Sequence, residues 1–113
     1  MIKIYHNPRC RKSREGLALL EASGQKFEIV RYLDNPPDPE ELQGLLTALD
    51  ISPIQLVRKN EAIWKSDYKG KDLSDNELIE ALSQHPKLIE RPIVIKDNKA
   101  VIARPAERIN ELL

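Results

Sequence analysis

The sequence predicts an α/β fold in which helices pack on a single mixed sheet. Three observations predict it: a strand–helix–strand pattern over residues 1–33, a hairpin pattern followed by a helix near the C-terminus, and a helical block between them. A crossover helix at one end and a hairpin at the other are typical of one sheet with helices on it. The length of 113 residues corresponds to one domain.

The N-terminal segment predicts a strand, a loop, a helix and a second strand. The run 2–5 is short and strand-like, and the apolar residues after Cys10 take the three-and-four spacing of a helix with one buried face. Gly24 is a typical helix stop. The second strand is expected over 27–33, which is rich in aromatic and β-branched residues. The loop after the first strand therefore places Cys10 at the N-terminus of a helix.

The segment 38–90 is expected to be largely helical. Residues 60–72 within it are polar and are predicted to be irregular. The helix starts of this segment carry capping or proline signals, which are Asp38 before Pro39, Ser52 before Pro53, and Ser74 three residues before Glu77.

The C-terminal segment predicts a hairpin and a last helix. Two strands are expected at 93–95 and 100–102, with the polar residues 97–99 between them as the turn. Pro105 is expected to open the helix that follows, with Ile109 on its buried face.

Composition excludes several classes of function. Lys and Arg together number 18, as do Asp and Glu, so the net charge is zero and no nucleic-acid partner is expected. No stretch approaches the ~18 apolar residues that span a bilayer, and no signal peptide is recognisable, so we expect a cytoplasmic protein without a membrane partner. The single cysteine excludes a disulfide framework. One cysteine and two histidines also argue against a structural zinc site, and no metal is expected.

Cys10 is the strongest candidate for chemistry. Arg9, Arg11 and Lys12 flank it, and a helix N-terminus offers free N–H groups and a positive dipole. Both features lower the pKa of a thiol and favour the nucleophilic thiolate. Ser13 stands where a Cys-x-x-Cys motif has its second cysteine, so an oxidised Cys10 must be resolved by a thiol from outside. The Ser13 hydroxyl is expected to donate a hydrogen bond to the sulfur.

The same loop could bind an oxyanion, since the features that stabilise a thiolate also attract other anions. Further positive charge would come from Arg58, Arg91 and Arg104. Arg91 and Arg104 each precede a proline at opposite ends of the predicted hairpin, which would bring them to one edge of the sheet. His6 has two interpretations, as an imidazolium that stabilises the thiolate or as a structural residue.

Five motifs, in this order along nearly the whole chain, resemble the glutaredoxin-coupled arsenate reductase (ArsC) family. They are His6-Asn7-Pro8-Arg9-Cys10-x-x-Ser13-Arg14, Tyr32-Leu33-Asp34-Asn35-Pro36-Pro37, Leu56-Val57-Arg58-Lys59, His85-Pro86-x-Leu88-Ile89-x-Arg91-Pro92-Ile93-Val94 and Ala103-Arg104-Pro105. The resemblance implies a thioredoxin-like fold. It also implies a single ArsC-like domain with a core of 1–37 and 91–113 and a helical insertion over 38–90.

The resemblance further implies an arsenate reductase in which Cys10 is the nucleophile and arginines bind the oxyanion. Glutathione and glutaredoxin are then the reductants and partners, and no tightly bound cofactor is expected. The Arg91–Pro92 peptide bond is expected to be cis, and the histidine is expected to lower the pKa of the thiol. The implied oxyanion-binding residues are Arg58, Arg91 and Arg104, and the implied supporting residues are His6, Asn7, Ser13 and Pro92.

Two alternative functions stay open at this point. An Spx-like transcriptional regulator, which docks on RNA polymerase, typically carries Cys-x-x-Cys and lacks the second pre-proline arginine. Ser13 and Arg104 therefore disfavour it. A monothiol glutaredoxin-like oxidoreductase would use Cys10 alone and agrees with the single cysteine.

Overall fold

The computed structural model describes residues 1–113, and the chain forms two compact units. The first unit consists of Met1–Asn35 and Arg91–Leu113. A four-stranded sheet forms its centre. The strands are β1 (Ile2–Tyr5), β2 (Phe27–Val30), β3 (Ile93–Lys96) and β4 (Lys99–Ile102), in the order β2-β1-β3-β4. β1 pairs parallel with β2 and antiparallel with β3, and β3 pairs antiparallel with β4. The predicted mixed sheet is confirmed.

Helix α1 (Arg11–Ser23) connects β1 to β2. It begins after Cys10, whose extended backbone makes it the N-cap, and ends at Gly24, whose φ of 75° closes the helix in the left-handed region. Its buried face carries Ser13, Gly16 and Leu20. Two of these three residues are small, so α1 can approach its neighbours closely.

Strand β2 is shorter than predicted, ending at Val30 rather than at residue 33. The chain turns after it, because the N–H groups of Asp34 and Asn35 both donate to the carbonyl of Arg31, at 3.1 and 3.0 Å. The last residues of the predicted strand therefore form a turn, in which the aromatic side chain of Tyr32 is fully buried.

The predicted C-terminal hairpin is confirmed, with Asp97 in the left-handed region at φ 56° between β3 and β4. The last helix, however, is a 3-10 helix over Ala106–Glu111 rather than an α-helix. Its bonds run to the third residue back, as from Leu112 N–H to the carbonyl of Ile109 at 2.9 Å. The core of this unit consists of Ile2, Ile4, Leu20, Val94, Val101, Ala103, Ile109 and Leu112.

The second unit, Pro36–Glu90, is helical. Its elements are α2 (Pro39–Leu49), a 3-10 helix (Pro53–Leu56), α3 (Ala62–Asp67), α4 (Asp75–Gln84) and a 3-10 turn (Pro86–Leu88). The predicted caps are present: the carboxylate of Asp38 accepts from the N–H of Glu41 at 2.8 Å, and Ser74 and Glu77 form a reciprocal capping box.

Helix α3 contradicts the prediction that residues 60–72 are irregular. This helix buries only Trp64, which stacks on Tyr68 with ring centroids 5.7 Å apart. A helix of six residues with one buried side chain shows no apolar periodicity, so the sequence pattern could not reveal it.

None of the helices has both the length and the apolar character that crossing a membrane requires. No group of three His, Cys, Asp or Glu side chains is placed to hold a metal ion. The organisation as a single domain with an insertion over 38–90 stays a prediction.

Candidate active site

The loop between β1 and α1 is held in shape by Asn7. Its carbonyl accepts the N–H of Cys10 at 3.0 Å, and its side-chain oxygen accepts the N–H of Arg9 at 3.0 Å. The carbonyl of Cys10 then accepts the first helical bond, from the N–H of Arg14 at 3.0 Å. These bonds place Cys10 at the N-cap of α1, where the first N–H groups of a helix lack partners within the helix.

The Cys10 thiol is partly buried, and its pKa lies below the ordinary value of a thiol. Burial is the largest influence and by itself raises this pKa. It is outweighed by hydrogen bonds to the sulfur from the backbone N–H of Ser13, the side chain of Arg91 and the backbone N–H of Lys12, and by the charge of Arg91. The arrangement therefore favours the thiolate, as the sequence predicts.

The hydroxyl of Ser13 serves the loop rather than the sulfur. Fully buried, it accepts the N–H of Asn7 at 2.9 Å and lies 2.7 Å from Nδ1 of His6. The expectation that this hydroxyl donates to the sulfur is wrong, because its hydrogen bonds are made to His6 and Asn7. Ser13 reaches Cys10 through its main chain instead.

His6 is buried, with 5% of its surface exposed. Its pKa is lowered, mainly by burial and further by the charges of Arg31 and Arg14. The hydrogen bond with Ser13 raises the pKa and offsets only part of this lowering. A lowered pKa favours the neutral imidazole at neutral pH. The structural interpretation of His6 is therefore supported, and the imidazolium that the sequence and the family resemblance suggested is not.

Two of the three candidate arginines lie together beside this loop. Arg91 is 7% exposed, and its side chain hydrogen-bonds the thiol of Cys10. Nη1 of Arg104 donates to the carbonyl of Arg91 at 3.3 Å. The expected convergence of the two residues is thus seen in the structure. The cis Arg91–Pro92 bond is confirmed, and Arg104–Pro105 is cis as well.

Arg11 and Lys12, which follow Cys10 in the sequence, do not act on the sulfur through their side-chain charges as the sequence suggests. The side chains of Arg11 and Lys12 are 85% and 47% exposed and pair with Glu15, at 3.4 and 3.8 Å. Lys12 stabilises the thiolate through a hydrogen bond from its main-chain N–H. Exposed and paired charges have weak effects on a neighbouring group.

Arg58 belongs to the second unit. Its N–H donates to the carbonyl of Leu88 at 2.7 Å, next to an antiparallel bridge between Val57 and Ile89. Nε of Arg58 lies 3.7 Å from a carboxylate oxygen of Glu61, and the arginine side chain is 22% exposed. The role of Arg58 in oxyanion binding stays a prediction.

The family model described as ArsC family matches residues 5–112 of this chain. The chain belongs to the ArsC family. Its relatives include a Haemophilus influenzae protein named arsenate reductase, 46% identical over 97% of this chain and 97% of that protein. A Neisseria meningitidis protein of the same name is 41% identical over 99% of this chain and 97% of that protein.

Solved structures of ArsC proteins have the same fold. The structure of arsenate reductase from Vibrio cholerae is 43% identical in sequence, with a TM-score of 0.94 over 99% of this chain and 97% of that chain. The sheet order β2-β1-β3-β4, with α1 between the two parallel strands, is thioredoxin-like. The fold class that the resemblance implied is therefore confirmed.

Two features of this ArsC site were missed at the level of sequence. Gly16 lies in α1 against Pro92. Arg31 follows β2 and acts on His6; because β2 runs parallel to β1, its C-terminal end shares an edge with His6, which is a signal the sequence contained. A cleft of about 340 Å³ opens there, lined by His6, Asn7, Pro8, Arg9, Arg31, Leu33 and Asp34.

Proposed function

We propose that the protein is an arsenate reductase in which the Cys10 thiolate attacks arsenate. The observation that carries this proposal is the hydrogen bond from the buried side chain of Arg91 to a thiol at the N-terminus of α1. The names of the relatives from Haemophilus influenzae and Neisseria meningitidis support it.

The arrangement suits a nucleophile that must meet an anion. A thiolate and an oxyanion repel each other, and a buried guanidinium between them reduces that repulsion more than an exposed cation would. As the S–As bond forms, the negative charge moves from sulfur to the arsenic oxygens, and Arg91 remains next to it throughout. Arg104 adds a second guanidinium at the backbone of Arg91, and Arg58 is proposed as a third.

The single cysteine requires two thiols from outside. Attack by Cys10 and protonation of one arsenic oxygen release water and leave a thiolate–arsenic(V) adduct. Glutathione displaces a second oxygen as water. A glutaredoxin thiol then attacks the glutathione sulfur, which forms a mixed disulfide and leaves two electrons on arsenic, now As(III). Hydrolysis of the S–As bond frees arsenite and restores Cys10, so two thiols and one arsenate yield a disulfide, arsenite and water.

A coupled assay tests the proposal. Purified protein with arsenate, glutathione, glutaredoxin, glutathione reductase and NADPH should consume NADPH only when arsenate and both thiols are present. Cys10→Ser should abolish this consumption, since an alcohol at that site lacks the thiolate. Consumption by the Cys10→Ser protein at the wild-type rate would end the proposal.

The same assay separates the alternative thiol oxidoreductase. In a parallel reaction a glutathionylated peptide replaces arsenate as the oxidant and glutaredoxin is left out, so that NADPH consumption above the rate without this protein reports reduction by Cys10. Turnover of the peptide without turnover of arsenate would assign the protein to thiol–disulfide chemistry. A cytoplasmic location belongs to the proposal, because a reducing compartment supplies both thiols.

A further inference from the structure

Gly16 occupies a position in α1 where no side chain fits. A Cβ built there would lie 2.9 Å from Cγ of Pro92, closer than carbon atoms approach in folded proteins, with Cδ1 of Ile109 at 3.7 Å and Cδ1 of Ile4 at 3.8 Å. Glycine inside a helix destabilises it relative to alanine. Since the backbone at Gly16 is ordinary α-helix, the close contact with Pro92 is the physical reason for glycine here.

The contact with Pro92 connects Gly16 to the thiol. Pro92 directly follows Arg91, whose side chain hydrogen-bonds the sulfur of Cys10. Two further hydrogen bonds hold the main chain of Arg91–Pro92, the segment we call the arginine loop. The N–H of Ala103 donates to the carbonyl of Pro92 at 2.9 Å, and Nη1 of Arg104 donates to the carbonyl of Arg91 at 3.3 Å.

Helix α1 therefore carries both the sulfur and the surface on which the arginine loop rests. Cys10 is its N-cap, and Gly16 lies on its buried face.

We propose that Gly16 is a positioning residue: the absence of a side chain at position 16 lets Pro92 lie against α1 and holds the guanidinium of Arg91 beside the sulfur of Cys10. The inference deepens the proposed function, because it concerns the same thiol. Its test needs no arsenate, so the two can fail separately.

Gly16→Ala is the direct perturbation. To restore ordinary carbon–carbon contact at ~3.5 Å, the ring of Pro92 must move away from α1 by about 0.5 Å or more. Because the ring of Pro92 is bonded to the main chain at both N and Cα, the part of this shift that a change of ring pucker does not absorb moves the loop. Charge-assisted hydrogen bonds depend steeply on distance and angle, and the contact between Arg91 and the thiolate weakens.

The readout is the rate at which iodoacetamide alkylates Cys10, measured from acid to alkaline pH. We expect Gly16→Ala to slow alkylation about threefold to tenfold below the thiol pKa, because each unit of pKa changes the thiolate fraction tenfold there. Gly44→Ala is the matched control. Gly44 also lies inside an α-helix, and a Cβ there has nothing within 4 Å, so the alkylation profile should stay that of the wild type.

A double-mutant cycle distinguishes positioning from general damage to the helix. In a protein that already carries Arg91→Met, Gly16→Ala should slow alkylation no further, because the group that it displaces is gone. An equal slowing in both backgrounds would overturn the proposal, and so would an unchanged rate in Gly16→Ala alone.

A second variant covers the case in which Gly16→Ala does not unfold cooperatively in urea. Gly16→Ala with Ile109→Val removes the methyl group of the second-nearest neighbour and gives the helix room on that side. The contact with Pro92 remains in this protein. Cys10 in this double variant should still be alkylated at least about threefold more slowly than in the wild type below the thiol pKa. A wild-type rate would refute the positioning role.

Discussion

Replacing Arg91 by methionine should raise the pKa of the Cys10 thiol by about one unit. A hydrogen bond to a charged group is worth about 1.5–3 kcal/mol, equivalent to about one to two units of pKa. Cys10 is only partly buried, which places the effect at the lower end. Arg91 itself is 7% exposed, so solvent screens its charge little, and methionine keeps most of the volume of the side chain.

The matched control is Arg11→Met. Arg11 adjoins Cys10 in sequence, but its side chain is 85% exposed and pairs with Glu15, so its loss should shift the thiol pKa by less than about half a unit. Both values come from the alkylation rate against pH and from the ultraviolet absorbance of the thiolate. If Arg91→Met left the thiol pKa unchanged, or Arg11→Met raised it equally, the assignment of the thiolate to a buried arginine would be wrong. In the coupled assay, Arg91→Met should lower turnover about 10²-fold.

Two further predictions concern the bonds behind the thiol. Ser13→Ala removes the acceptor of the buried Asn7 N–H and should lower the free energy of unfolding in urea by about 1–3 kcal/mol, while the thiol pKa stays low; a raised thiol pKa would show that the hydroxyl acts on the sulfur. Because the pKa of His6 is lowered in the folded protein, the unfolded chain binds the proton more readily, and stability should fall as pH drops below 6.5. His6→Gln should flatten that dependence below about pH 6.5, and an unchanged slope would contradict a neutral buried His6.

Elements with local signals were predictable from the sequence. The capping box of Ser74 and Glu77 and the N-cap of Asp38 are made by residues three apart, so their pattern is visible before folding. The hairpin between β3 and β4 is likewise set by its turn. Helix α3 was not predictable, because a six-residue helix with one buried side chain shows no apolar periodicity. The early end of β2 was not predictable either, because the burial of Tyr32 is a property of the folded chain.

The site was predictable in its members more than in its contacts. Cys10 at a helix N-terminus and the pairing of Arg91 with Arg104 follow from where each stands relative to its strand or helix. The direction of the Ser13 hydroxyl and the protonation of His6 depend on burial and on Arg31 across the sheet edge. Sequence spacing contains neither quantity, which is why the residues left two interpretations of His6 open and why the hydroxyl of Ser13 was expected to donate to the sulfur.

The contrast between Arg11 and Arg91 explains how a chain of zero net charge can have a cationic site. Arg11 and Lys12 directly follow Cys10 in sequence, yet their charges are exposed and offset by Glu15. The groups that act on the sulfur are two main-chain N–H groups and a guanidinium from the far end of the chain. Because burial reduces screening, these few groups outweigh a larger number of exposed charges. Counting basic residues around a cysteine therefore indicates where a thiolate lies, but the strength of the site depends on which cations the fold buries.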